Sequence, residues 1–327
     1  MKRIFFKTYI IIFALTLLIS SCKNEQPINF QGSAFGSYYS ITYMGQEDPK
    51  LQHQVDSIIA DLTHQFSLFD TTSIISRINK GENLPLTADM LNVYNISKRV
   101  SDLTNGAYDI TVGPLVDLWG FGKDKRAKVE KWEIDSVMKF VGYTKIKVEN
   151  NYFVKSDPRI QINFNAITDG YASDKVARFI VAQGYSNCIV DIGGEVVALG
   201  TKGGKQWQVG IQTPTNDADG AIDAQYVYPM KNRAVSTSGN YRKYVEKEGQ
   251  RYSHIINPKT GQPEHSSLLS VSVIAEDCAS ADAYSTAFMV FGMEKTMELV
   301  QKNPKMAVYF IYNKNGKFEV KKSPNFP

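Results

Sequence analysis

The stretch Ser37-Tyr38-Tyr39-Ser40-Ile41-Thr42-Tyr43-Met44 is followed, after a short polar break, by Leu51, Val55, Ile58, Ile59, Leu62 and Phe66. Tyr39, Ile41 and Tyr43 alternate against Tyr38, Ser40 and Thr42, the period-two pattern of a half-buried strand. The second set recurs at three- and four-residue spacing, the apolar stripe of a helix. Outward from this pair, Thr87 reads as the N-cap of a second helix carrying Leu91, Tyr94 and Val100. Short strands are expected at 145–148, 152–154 and 160–164, the first two joined at Asn150-Asn151. A helix is expected over 171–183, with Gly184 ending it. Beyond Asn187 strands dominate, at 188–192, 207–211, 224–228 and 269–275. Helices at 282–291 and 294–301 follow, and strands at 307–312 and 318–320 close the chain. Helices and antiparallel-looking strands interleave with no regular βαβ rhythm, no repeat and no internal linker. The fold class is therefore α+β, with mixed or antiparallel sheets and packed helices.

The 327 residues are 43% hydrophobic, 21% charged and 12% aromatic, a globular mix with ample material for a core. The formal charge of +4 falls to +1 once Lys2, Arg3 and Lys7 are set aside. That leaves no electrostatic footprint for nucleic acid. The three cations precede an apolar run, Tyr9 to Ile19, of 11 residues. A spanning helix needs about 20, so the run is a signal-peptide core. It ends in Ile19-Ser20-Ser21-Cys22, which resembles a bacterial lipobox whose cysteine is lipidated. Residues 1–21 are then a lipoprotein signal peptide, 22–29 a short polar tether and 30–327 the body. The protein is expected to be exported and lipid-anchored, at the periplasmic face of the inner membrane. Cys188 and Cys278 are left in the mature chain. Spacing does not decide whether they pair, and Cys188, in an apolar stretch, reads as a buried inert thiol. No Cys/His cluster supports zinc.

Five segments could carry chemistry. In Gly106 to Leu115, followed by Trp119-Gly120-Phe121-Gly122, Gly and Pro set turns around the oxygens of Asp109 and Thr111, a loop able to grip a planar ligand. Taken alone it is a turn-punctuated core loop. Asn163 to Tyr171 joins a strand to a helix N-terminus, where free amides favour anions and an exposed carbonyl can serve a cation. The glycine-rich Asp191 to Glu195 and Gly200 to Lys205 lack the Gly-Lys-Ser/Thr ending of a P-loop. Gly193-Gly194 still admits close backbone approach. Ser236-Thr237-Ser238-Gly239 offers hydroxyls to phosphate oxygens, and His254, downstream, is the proton acceptor at neutral pH, imidazole titrating ordinarily near 6.5. A single histidine in a polar stretch is more often structural. Finally, Asp282, Ser285 and Thr286 share one helix face, a set of hard oxygens suited to Mg²⁺. A solvated helix start is the bland meaning of that spacing.

In this order, from about Gly32 to Gly292, the segments resemble the bacterial ApbE-like flavin transferases, the FAD:protein FMN transferase family. Gly106 to Gly122, Ser236 to Gly261 and Ala281 to Thr286 carry the resemblance most specifically. It implies a T-fold-like α+β architecture and Mg²⁺-dependent transfer of FMN from FAD to a threonine of an acceptor protein through a phosphoester, with release of AMP. It further implies metal contacts from Asp282, Thr286, Ser285 and the Ala166 carbonyl. Ala107, Tyr108, Asp109, Asp169 and Ile256 would contact FAD. Thr237 and Ser238 would contact its pyrophosphate, and His254 would take the threonine proton. FAD is then the substrate, and an exported or membrane protein the partner.

The chain departs from the family pattern in places. Phe35-Gly36-Ser37 stands where Met-Gly-Thr is usual, and Phe69 stands where the ring is often Tyr. Asn163 replaces a common Asp, Asp169 a common Lys, Gln or Glu, and Ser285 occupies a site that can be Asp. Phe35, Phe69 and Asn163 are retained as flavin-site residues. Two rivals use the same pocket: a Mg²⁺-dependent FAD pyrophosphatase yielding FMN and AMP, and a non-catalytic FAD-binding lipoprotein.

Overall fold

The computed structural model describes residues 25–122, 129–212, 224–240, 244–247, 250–264 and 266–327. Residues 1–21, expected as a signal peptide, and Cys22 lie outside these residues. The alternation that opens the sequence becomes β2 (Ser37–Gly45), preceded by β1 (Gln26–Ala34) in an antiparallel hairpin. Gln26 to Asn29, expected as tether, pair with Gly45 to Thr42 and so belong to the body. Their polar side chains face water on an edge strand, which is why composition alone read them as linker. α1 (Leu51–Phe66) buries Leu51, Val55, Ile59, Leu62 and Phe66 as its stripe requires.

α2 (Ile74–Asn79) and α3 (Ala88–Leu103) follow, the latter capped by the Thr87 hydroxyl, which accepts from Met90 N–H at 3.1 Å. α4 (Gly113–Leu118) and α5 (Lys131–Met138) lead to the β3 (Ile146–Glu149) and β4 (Tyr152–Lys155) hairpin, turned at Asn150-Asn151 with positive φ at both. The strand expected at 160–164 does not form. Ile160, Ile162 and Phe164 are fully buried. The backbone of Ile162 is instead satisfied at both ends by the Asn79 side-chain amide, each bond 2.8 Å. An alternating apolar run therefore reached the core without a ladder partner.

α6 (Thr168–Ala182) begins one turn earlier than expected and ends at the Gly184 turn. After it come β5 (Cys188–Ile192), β6 (Glu195–Leu199), β7 (Trp207–Gln212), β8 (Ala224–Met230) and β9 (Arg233–Gly239). β10 (Tyr244–Lys247), β11 (Gln250–Ser253), β12 (Leu268–Ala275), α7 (Cys278–Phe291), α8 (Met293–Gln301), β13 (Ala307–Lys314) and β14 (Lys317–Lys322) complete the chain. The main sheet has eight strands in the order β1-β2-β5-β6-β9-β12-β13-β14, and every pairing is antiparallel. One face, with Ile41, Val190, Val271 and Phe310, packs against α1, α3, α6 and α7. The other, with Val196, Val235 and Tyr309, is covered by the β7–β8 hairpin through Trp207, Ile211 and Tyr228. A satellite core of Leu115, Leu118, Trp119, Ile134, Val141 and Ile256 lies beside them. Cys188 and Cys278 are unpaired buried thiols, and burial pushes Cys188 up to about 12.

Candidate functional site

At one end of the sheet, the β1–β2 and β5–β6 turns meet the loops before α4 and α6, the residues after β11, and the start of α7. Together they enclose a cleft of about 1550 Å³, roomier than a drug-sized pocket. Phe35, Phe69, Ala107, Tyr108, Asp109, Asn163, Ala166, Asp169, Thr237, Ser238, His254, Ile256, Asp282 and Thr286 all line it. Residues spread over most of the chain are thus brought to one place.

The deepest part is acidic. Asp282 stands one turn inside α7, not at a solvated helix start, and is 6% exposed. Its Oδ2 accepts Gly170 N–H at 3.1 Å. Only glycine fits at 170, because a Cβ there would lie 2.5 Å from the Cys278 carbonyl and 2.7 Å from Asp282 Cβ. Burial first, and then the charge of Asp169, push the Asp282 carboxyl up to about 8. Glu195 on β6 accepts from Ser236 Oγ at 3.3 Å. Burial and the charges of Asp282 and Asp169 raise it well above the usual carboxylate range. Asp191 is also raised by burial, against bonds from Gly194 N–H at 3.0 Å and the Tyr38 hydroxyl at 3.2 Å.

Asp109, Asp169, Asp191, Glu195 and Asp282 line the cleft, and among its described lining residues there is no Lys or Arg. A diphosphate entering here would meet acids and no described cation to offset its charge, so the donor set fits a divalent cation. No three His, Cys, Asp or Glu side chains among the described residues converge tightly enough to hold an ion by themselves. Neutral oxygens must complete the shell, as Mg²⁺ commonly arranges with one carboxylate and substrate phosphates. Thr286 Oγ1 lies 3.0 Å from Ser238 Oγ, and the Ala166 carbonyl accepts only a long 3.5 Å bond from Tyr108 Oη.

Three expected contacts are placed differently from their sequence reading. Ser285 is fully buried behind the cleft, its hydroxyl shared with Ser238 at 2.8 Å, Ser236 at 3.3 Å and the Asp282 carbonyl at 2.9 Å. It braces Asp282 and Ser238 and does not face the cavity, because i+3 on α7 turns toward β9. The Asp109 carboxylate is taken up by its own loop and by the segment after α5, accepting from Thr111 N–H at 2.7 Å, Thr111 Oγ1 at 2.6 Å and Tyr143 N–H at 2.8 Å. Thr237 turns to the opposite face of β9 from Ser236 and Ser238, pairing with Ser272 Oγ at 2.7 Å. The hydroxyl segment, assigned no element from the sequence, is a central strand. Glu195, Ser236 and Gly170 were not singled out; Glu195 stood in the quoted glycine-rich run, but its neighbours come from other elements.

His254 follows β11, its ring edge-on to Phe121 at 6.4 Å. The turn after it is closed by Asn257 N–H to the Gln262 carbonyl and Gly261 N–H to the Asn257 carbonyl, both 2.8 Å. Trp119 Nε1 donates to the Gly261 carbonyl at 2.8 Å. Gly261 has φ +70, and a Cβ there would sit 2.6 Å from Ile134 Cγ2 and 3.1 Å from Met138 Sδ. The histidine loop is therefore locked onto the satellite core by a position open to glycine alone. Gly261→Ala is expected to lower turnover about tenfold and the melting temperature by several degrees, read by initial rates and thermal unfolding. Wild-type behaviour in both would dissociate this lock from the loop.

Metal-free stability follows from the raised acids. Asp282, Asp174 (pushed up to about 6 by burial) and Glu195 all titrate higher in the folded than in the unfolded chain. Between about pH 4 and 8 the folded state therefore holds protons that the unfolded state has lost, so stability falls as pH rises through that window. The melting temperature in chelator should drop by several degrees from pH 5 to pH 8, and millimolar Mg²⁺ should recover most of the loss. A Mg²⁺ response equal at both pH values would contradict this.

The family model described as the ApbE family matches residues 35–310. The chain is 32% identical over 308 residues to the FAD:protein FMN transferase of Vibrio cholerae, covering 91% of each. It is 34% identical to that of Escherichia coli K12, covering 90% of this chain and 87% of the relative. Among solved structures, the flavin transferase ApbE from Vibrio cholerae superposes with a TM-score of 0.82 at 31% identity, covering 92% of this chain and 98% of that one. The apo flavinyl transferase ApbE of Pseudomonas stutzeri gives 0.83 at 30%, covering 93% and 97%. A single acidic cleft bordered by a locked histidine loop, on a fold shared over nearly the whole length with these proteins, makes the chain a member of the ApbE family.

Proposed function

We propose that this chain transfers FMN from FAD to a threonine hydroxyl of an acceptor protein and releases AMP, with Mg²⁺ as cofactor. What supports this best is the cleft itself: large enough for a dinucleotide, lined by five carboxylates and no described cation, and bordered by His254. Bound Mg²⁺ supplies charge neutralisation on the diphosphate and on the departing phosphate of AMP. Asp282, Thr286 and the Ala166 carbonyl are the residues that would hold it, with Gly170 N–H fixing the first and Ser238 Oγ the second. Ser238 offers a hydroxyl to the phosphates, and the exposed Phe69 ring at the rim offers a face to the flavin. The threonine oxygen attacks the phosphorus that carries the riboflavin moiety, the bond to the bridging oxygen breaks, and AMP departs with that oxygen. His254 receives the threonine proton.

The lipobox-like Cys22 supports export and a lipid anchor, which would put the acceptor among exported or membrane proteins. No helix among the described residues is long and apolar enough to cross a membrane. The deciding experiment incubates purified protein with FAD, Mg²⁺ and a candidate threonine-bearing acceptor. The expected products are AMP and acceptor carrying FMN by intact mass. Free FMN with unmodified acceptor would mean hydrolysis, and no AMP would mean binding only.

A further inference from the structure

Asp174 lies on α6, 7% exposed, and none of the five segments includes it. Its carboxylate accepts three backbone bonds from the first turn of α7: Cys278 N–H to Oδ1 and Oδ2, and Ala279 N–H to Oδ2, each 3.0 Å. One turn earlier on the same face of α6, Gly170 N–H holds Asp282 Oδ2 at 3.1 Å. The two helices run past one another with 174 against 278 and 170 against 282. Four residues on either helix span about 6 Å, so the two attachments match in spacing. Between them, α6 fixes both where α7 starts and where its first cleft carboxylate points. A buried carboxylate is an expensive way merely to cap a helix, and α7 has a cap of its own: Asp277 accepts from Ser280 N–H at 2.7 Å. What Asp277 does not do is tie α7 to another element.

We propose that Asp174 is a positioning residue for the metal seat, holding α7 in the register that aims Asp282 and Thr286 together into the cleft. The proposal rests on the assignment of Mg²⁺ to those two residues. A shift of α7 by a fraction of an ångström carries Asp282 and Thr286 together away from the Ala166 carbonyl, and loosely held ligands lose affinity before they lose the fold. Asp174→Asn keeps the volume and one accepting oxygen but turns an N–H₂ toward amides that donate, while Asp174→Ser leaves a shorter hydroxyl whose proton can turn away from them. Asp277→Ala removes the cap from the same helix end without touching the α6–α7 link, and serves as the comparison.

The test titrates Mn²⁺ into the full chain with saturating ADP, whose diphosphate supplies phosphate oxygens, and reads free Mn²⁺ by electron paramagnetic resonance. Melting temperatures are recorded alongside. Asp174→Asn should bind Mn²⁺ at least tenfold more weakly and Asp174→Ser should fall between it and wild type. Asp277→Ala should bind as wild type does even though its melting temperature drops. Should Asp174→Asn not fold, the comparison of Asp174→Ser with Asp277→Ala decides. Unchanged Mn²⁺ affinity in the folded Asp174 variants, or an equal loss in Asp277→Ala, overturns the proposal. If Asp282→Asn also binds Mn²⁺ normally, it is the metal assignment that has failed instead.

Discussion

Asp282→Asn is expected to lower Mg²⁺-dependent AMP release by about 10³-fold while making the metal-free protein more stable. The two effects have one cause. Asp282 is held at 6% exposure beside Asp169 and Glu195, with its carboxyl pushed up to about 8. An amide of the same shape can still accept from Gly170 N–H and carries no charge to repel its neighbours. Above pH 8 the gain should be on the order of 2 kcal/mol, allowing for proton sharing within the cluster. That corresponds to roughly 4 °C for a chain of this size. It should vanish below about pH 4, where the wild-type carboxyl is protonated in both states. Loss of a metal contact at a phosphate is worth about 4 kcal/mol of barrier, hence the factor of 10³. FAD affinity should change by less than about tenfold, since most of the cleft is untouched. Parallel loss of FAD binding and turnover, or a lowered melting temperature at pH 8, would make Asp282 a structural residue.

A destabilised carboxylate cluster is also where the amino-acid sequence stops being legible. The helical stripe of α1, the Thr87 cap and the Asn150-Asn151 turn are local, each decided by residues within a turn or two, and each is read correctly. The α+β class follows from the order of such local units. The residues that line the cleft were singled out because the segments carrying them resemble a family in order. The geometry around them was not. Ser236, Thr237 and Ser238 are read only as a row of hydroxyls until β6 and β12 flank them. Only the period of two then shows that Ser236 and Ser238 face α7 while Thr237 faces Ser272. Asp109 presents a free carboxylate on paper and spends it on Thr111 and Tyr143. Glu195 and Asp174 carry no local signature, because what matters about them is supplied by α6 and α7 from elsewhere in the chain. Edge strand β1 failed for the opposite reason: its polar composition is the local signal of a linker.

Replacing His254 by Ala should suppress transfer to the acceptor by about 10²–10⁴-fold and leave FAD affinity within about threefold of wild type. The imidazole belongs to a loop braced at Gly261 and Trp119 rather than to the acidic floor, so its removal should not disturb Asp282 or Thr286. The hydroxyl of threonine is a poor nucleophile unless its proton is taken as the new bond forms, and the floor carboxylates are poorly placed to do it. Asp282 and Glu195 are already biased toward their protonated forms, and a bound cation would engage the first of them. His254 is the described lining imidazole, the side-chain type suited to taking such a proton. Two controls separate base from scaffold. Added imidazole should restore part of the rate in His254→Ala, since small exogenous bases can enter the space the ring leaves. The melting temperature should stay within a few degrees, because the turn after His254 is held by the backbone bonds of Asn257 and Gly261 and by Trp119 Nε1. Unaltered transfer in the variant would remove His254 from the chemistry, and lost FAD binding without imidazole rescue would make it a binding residue. Rescue with intact FAD binding leaves proton acceptance as the role that fits.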